Sequence, residues 1–159
     1  MKPVLATAFG CLLAAGLAYA TPKSTPEDLM NRYFAANDVA GISASYGDWH
    51  PTARHQVTVK YGLGQPDDVF SYAVSDALTE DMNDPRMAEM MAGYEELSRM
   101  PAEITISTVD AAQIARAVTT VRYRWQGMEG DMVQTDTFRI LPHFGRPAIH
   151  ALDTVLDYR

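Results

Sequence analysis

Asp136 lies between Thr135 and Thr137 in a segment whose other residues suit burial, and Arg116, Arg122 and Arg124 line one face of the preceding segment. A carboxylate and guanidinium groups on neighbouring strands make a cross-strand ion pair the expected use of Asp136. Tyr123 and Trp125 lie on the apolar face of that same segment. Such rings either anchor a core or form the walls on which a flat hydrophobic ligand stacks, and Tyr33 further upstream carries the same two readings. Four histidines are present. His50 and His55 have Asp48 close by, but their spacing matches no recognised metal-ligand pattern. Met82, Met87, Met90, Met91 and Met100 fall within 19 residues and could bind Cu(I) through their thioethers. Methionines at helical spacing on an apolar face are core fillers or adaptable ligand contacts, which is the reading preferred here. There is no Ser–His–Asp arrangement at recognisable spacing, no nucleophile elbow, no phosphate-cradling glycine loop and no zinc signature. Covalent and metal-based catalysis have no positive support, and no cofactor is expected.

The elements that must position these residues come in a definite order. Thr25-Pro26-Glu27-Asp28 is a helix start, with Thr25 as cap, Pro26 at the first helical position and Asp28 reaching back to the cap amide. Leu29, Met30, Tyr33, Phe34 and Ala36 form its apolar face, and Asn37-Asp38 is expected to end or bend it. Val39 to Gly47 carries no strong signal. Asp48-Trp49-His50-Pro51 reads as a turn. Gln56 to Tyr61, with Val57, Val59 and Tyr61 inward, and Val69 to Val74 read as a hairpin. Asp84-Pro85 opens a second helix, with Met87, Met90, Met91, Tyr94 and Leu97 at helical spacing, which Pro101 stops. Four strands follow from Ile104 to Leu156. In the second of these, Ala115, Ala117, Thr119, Val121, Tyr123 and Trp125 share one face.

Residues 1–20 read as a secretory signal peptide: a positive start at Lys2, an apolar run from Val4 to Leu17, and Ala18-Tyr19-Ala20 as the cleavage site. The expected mature chain, residues 21–159, is a single domain in the periplasm or outside the cell, with no membrane span once the leader is removed. The only cysteine, Cys11, leaves with the leader, so stability must come from the core. The remaining chain holds 12 basic and 20 acidic residues, a net charge of −8. Phosphate contacts need clustered Lys and Arg, so nucleic acid is not an expected partner.

Helices against one face of a long antiparallel meander make an α+β architecture. The order, with the early helix LMNRYFAAND and the ending DTFRILPHFGRPAIHALDT, resembles the NTF2-like superfamily, which includes the polyketide-cyclase-like (SnoaL-like) and ketosteroid-isomerase-like proteins. The resemblance spans Pro26 to Val155. It implies a cystatin-like cone: a curved antiparallel sheet wrapped around the N-terminal and central helices, with a ligand between the concave face and the helices. It also implies that Ile149, Ala151, Asp153 and Val155 point inward. Asp153 would then be a carboxylate in a mostly apolar site, where burial raises its pKa and suits it to acid–base work. The ligand-pocket candidates are therefore Tyr33, Val121, Tyr123, Trp125, Asp136 and Asp153. The expected function is a noncatalytic module of the cell envelope that binds a small apolar ligand or a protein partner. The alternative is an isomerase, dehydratase or cyclase that works through pocket Asp and Tyr residues without a metal. The alternative to the ion pair is that the arginine face is the outer sheet surface of a homodimer, an arrangement common in this fold.

Overall fold

A computed structural model describes residues 24–40, 45, 47–62, 64–76 and 92–159, without the side chains of residues 36–40. The expected signal peptide, Met82, Met87, Met90, Met91 and the expected second helix start at Asp84-Pro85 lie outside the described residues. The helix α1 spans Pro26–Ala40. Its start is a reciprocal cap: the Thr25 amide donates to Asp28 Oδ2 at 2.9 Å, and the Asp28 amide donates to Thr25 Oγ1 at 3.1 Å. Two backbone donors at the helix start, orphaned in an uncapped helix, are thereby satisfied. Thr25→Ala should destabilise the protein by about 1 kcal/mol, read as a lower urea midpoint at an unchanged slope. The helix runs through Asn37 and Asp38, where the sequence suggests a stop. Their low propensity costs only about 0.5 kcal/mol each, which an established helix tolerates.

The strands are β1 (Trp49–Lys60), β2 (Asp68–Ala73), β3 (Tyr94–Arg99), β4 (Glu103–Val109), β5 (Ala112–Trp125), β6 (Met128–His143) and β7 (Arg146–Tyr158). They form one curved, unclosed sheet in the order β2-β1-β7-β6-β5-β3, with β4 following β3 along the same edge of β5. All pairings are antiparallel except β1 with β7, which is parallel. The expected hairpin and the four-stranded meander are both present. The meander strands are longer than expected because two of their turns need only two residues: Gln126-Gly127 (φ 50° and 83°) and Phe144-Gly145 (φ 48° and 77°). Positive φ at both central positions gives the turn the twist of the strands it joins.

Three corrections follow from irregular pairing. Trp49 opens β1 and is not part of a turn. Pro51 lies where the pairing on β7 jumps from Trp49–Ile149 to Arg54–Ala151, a gap in the ladder that suits a residue with no N–H. Inside β1 the buried residues are Trp49, Ala53 and His55, while Tyr61 is partly exposed beyond the strand end. Tyr94 to Arg99 is strand, not helix. Pairing passes from Glu96–Tyr123 to Ser98–Arg122, so Leu97 is an extra, bulged residue. The bulge reverses the alternation and leaves Tyr94 and Leu97 half-buried three residues apart, a spacing that imitates a helix. In β7 the pairing passes from Ile140–Ile149 to Arg139–Ala151, so His150 is the extra residue. Beyond it the inward residues are Leu152 and Thr154, and Asp153 is exposed on the outer face.

The core lies between α1 and the concave face. Leu29, Met30 and Tyr33 meet Trp49, Ala53, Ala115, Ala117, Phe138, Ile140, Ile149 and Leu152, with Phe34, Ile104 and Ile106 packed beside them. Phe138 is fully buried, and its ring meets Tyr33 edge-on at 4.8 Å and Phe34 at 6.0 Å. Among the described residues no helix is long and apolar enough to cross a membrane.

Candidate functional site

A cavity of about 900 Å³ opens beside this core. α1 supplies Tyr33, Phe34 and Ala35. The β3–β4 edge supplies Glu96, Arg99, Met100, Pro101, Ala102 and Ile104, and the sheet floor supplies Thr119, Gln134 and Asp136. The floor follows from alternation. Gln134 and Asp136 are two residues apart on β6, and Asp136 pairs with Ala117 on β5 and Thr154 on β7, so all share the concave face. The β3 bulge sets Glu96 and Arg99 on that face too, opposite Tyr123 and Val121.

Asp136 is only 3% exposed, and two arms of hydrogen bonds converge on it. Gln134 Nε2 donates to Oδ2 at 2.8 Å, and Thr154 Oγ1 donates to Oδ1 at 2.6 Å. The Thr154 hydroxyl has one proton, which it gives to Asp136. Its 2.9 Å contact with His55 Nε2 must therefore be one in which the imidazole N–H donates. Neutral His55 then carries its lone pair on Nδ1, which accepts the Tyr72 hydroxyl at 2.5 Å. On the other side Arg99 donates to Gln134 Oε1 at 3.2 Å and grips Glu96 through Nε and one terminal nitrogen at 2.9 and 2.7 Å. The two arms draw on β3, β6, β7, β1 and β2, and along each arm the links donate toward the carboxylate, while Arg99 also holds Glu96.

Burial pushes the Asp136 carboxyl above its ordinary range, against the bonds from Thr154 and Gln134, which favour the ionised form. Burial also pushes His55 from 6.5 down to about 4 and raises the Tyr33 and Tyr72 phenols. Hydrogen bonding to Glu96 raises Arg99 further. The arrangement is a buried carboxylate, Asp136, held by neutral donors in a half-apolar chamber beside the Glu96–Arg99 pair. It can accept a hydrogen bond or a proton from a ligand.

Among the residues singled out from sequence, Tyr33 and Asp136 line this cavity. Val121 is fully buried in the concave face. Tyr123 is half-buried, stacked on Tyr94 at 5.8 Å and edge-on to Tyr158 at 5.2 Å. Trp125 is 41% exposed at the end of β5, and Asp153 is on the outside. Asp136 makes no ion pair with the arginines of β5. Those side chains point to the opposite face, where Arg122 pairs with Glu129 at 3.1 Å and Arg124 with Glu95 and Glu129 at 2.8 Å each. His50 stacks on His150 at 4.1 Å and meets His143 at 4.5 Å. Among the described residues no group of three or more His, Cys, Asp or Glu has the geometry to hold a metal ion. Sequence reasoning missed Thr154, Gln134, Arg99 and Glu96, and weighed His55 only as a metal ligand. The legible signal was the Gln134-x-Asp136 spacing on one strand face; the rest depended on the bulges and on pairing across 99 residues.

The Tyr123 ring lies over Gly130, its cross-strand partner. A Cβ there would come within 2.7 Å of the Tyr123 hydroxyl oxygen and 2.9 Å of Cζ, with the Arg159 carbonyl at 3.2 Å on the other side. Gly130→Ala should therefore displace the Tyr123 ring and destabilise the protein by about 1–3 kcal/mol, with an altered near-ultraviolet circular dichroism spectrum.

No family model matches the chain, and neither does any curated protein. Solved structures do. A candidate ketosteroid isomerase from Shewanella frigidimarina matches with a TM-score of 0.50 at 14% identity, over 80% of this chain and 91% of that one. The β subunit of the benzoate 1,2-dioxygenase from Burkholderia mallei matches with a TM-score of 0.51 at 11% identity, over 86% and 93%. An NTF2-like protein with a cystatin-like fold from Novosphingobium aromaticivorans matches at 0.47 and 17%, over 81% and 77%. At these identities the likeness is one of fold.

Proposed function

We propose, starting from an NTF2-like, ketosteroid-isomerase-like fold, that this is an exported protein whose cone binds a small molecule with an apolar body and a polar group directed at Asp136. One observation carries the reading: a chamber of about 900 Å³, walled by Phe34, Met100, Ala102 and Ile104, has a buried carboxylate in its floor. Mostly apolar concavities with a few convergent polar groups are what small-molecule sites look like. Native mass spectrometry of the protein purified from the periplasm tests it. The expected species begins at Thr21 and carries a retained small molecule, and Ile104→Trp, which fills the wall, releases it. A retained molecule unaffected by Ile104→Trp would place binding elsewhere and end the reading.

A second reading is an isomerase-, dehydratase- or cyclase-type enzyme with Asp136 as the proton-transferring group. It is favoured by the burial that raises the Asp136 carboxyl, since a carboxyl displaced toward neutrality is matched to acid–base work. Loss of solvent-deuterium exchange into the retained ligand on Asp136→Asn would support it, and unchanged exchange would dismiss it. In either reading the outer sheet face bearing Arg122 and Arg124 is the surface proposed for a homodimer. Arg122→Glu should then yield a folded monomer on a light-scattering column.

A further inference from the structure

The cavity's polar floor has a fixed direction and a net charge. Glu96 and Arg99 bind each other through two hydrogen bonds; Arg99 also favours the ionised Asp136, as the smallest of the effects on it, and the described lining residues together keep one net negative charge. No Lys, Arg or His lies within ion-pair distance of it among the described residues. Its partners, Gln134 and Thr154, are neutral donors whose own acceptor atoms are taken by Arg99 and His55. A carboxylate has about four acceptor positions, and two are filled here. What Asp136 lacks, among the described residues, is a positively charged donor in direct contact. Phe34, partly buried and edge to face with Tyr33 at 5.2 Å, lines the same chamber and offers a ring surface that attracts cations.

We propose that the ligand class of this cavity is an organic monocation: an amine with an apolar body, its ammonium hydrogen-bonded to Asp136 and its body against Phe34, Met100 and Ile104. This rests on reading the cavity as a small-molecule site. A neutral ligand would leave the buried carboxylate without a counter-charge, and an anionic one would be repelled by it. Arg99 does not reverse the preference, because Glu96 holds it in a bidentate pair.

Calorimetric titration of the full protein at pH 7 with three isosteric probes tests the proposal: 1-naphthylmethylamine, 1-naphthalenemethanol and 1-naphthoate. The amine should bind about 10-fold or more tightly than the alcohol, the naphthoate weakest, and Asp136→Asn should abolish the amine's advantage. If that variant does not fold, wild-type protein answers alone. Binding of the amine should weaken relative to the alcohol as pH falls and Asp136 takes up its proton. The other groups facing it, Tyr33 on α1, Glu96 and Arg99 on β3 and His55 behind Thr154, are common to all three probes. Ile104→Trp should weaken every probe. If the alcohol or the naphthoate binds as well as the amine and Ile104→Trp weakens them, the cavity is a ligand site but the cation preference is wrong. If no probe binds, or Ile104→Trp changes nothing, the cavity reading fails together with the proposal.

Discussion

Phe138→Ala is expected to cost about 3–5 kcal/mol, the upper range for a single core truncation. Phe138 is fully buried on the concave face, and its ring is met by Tyr33 and Phe34 from α1, the one described helix. Removing it leaves a void that a helix held to the sheet mainly by this patch cannot close without leaving Leu29 and Met30 behind. Phe138→Leu, which keeps most of the volume, should lose less than half as much. The contrast is read from urea midpoints of the two variants and the parent protein. Equal losses would mean that the aromatic contacts and not the filled volume hold α1 down.

The second large effect is an acid sensitivity centred on His55. The imidazole is 8% exposed, and burial pushes it from 6.5 to about 4. The unfolded chain takes up this proton as pH falls through 6.5, and the folded protein takes it up only near 4. The stabilisation is complete above 6.5 and is lost between 6.5 and 4, amounting to about 3 kcal/mol. Asp136 acts in the opposite sense. Its raised carboxyl binds a proton in the folded protein at a pH where the unfolded chain has released it, so the fold gains from acid just above 3.8. The net result is a slope that is steepest near pH 5.5 and flattens below. His55→Gln keeps an N–H for Thr154 and removes the titration. Its stability should fall much less than the parent's from pH 6.5 to 5, with the remainder coming from His150, which burial also pushes down. Parallel loss of stability in parent and variant over that range would show that His55 is not the group responsible.

Much of this architecture is legible from sequence for local reasons. Thr25-Pro26 and Asp28 announce α1 because a cap is made by neighbours three residues apart, and the meander strands announce themselves by alternation. What misleads is a change of phase. Leu97 and His150 each add one residue to a strand, and each reverses which side chains face inward. The first makes a strand resemble a helix. The second exchanges Asp153 for Thr154 in the cone. Asp136 is prominent in the sequence, but its surroundings are not. The ion pair expected for it is made by Glu95 and Glu129 on the opposite face, and the parallel pairing that brings His55 to Thr154 leaves no local trace.

That parallel pairing also bears on how the molecule comes together. The first strand is completed by the last, so a chain delivered from its amino end holds a two-stranded hairpin with an open flank until β7 arrives almost a hundred residues later. Contacts so distant make for high contact order and slow folding. The waiting hairpin, which carries Val69 and Phe70 on its exposed outer strand, is the intermediate from which tangled or swapped products would grow.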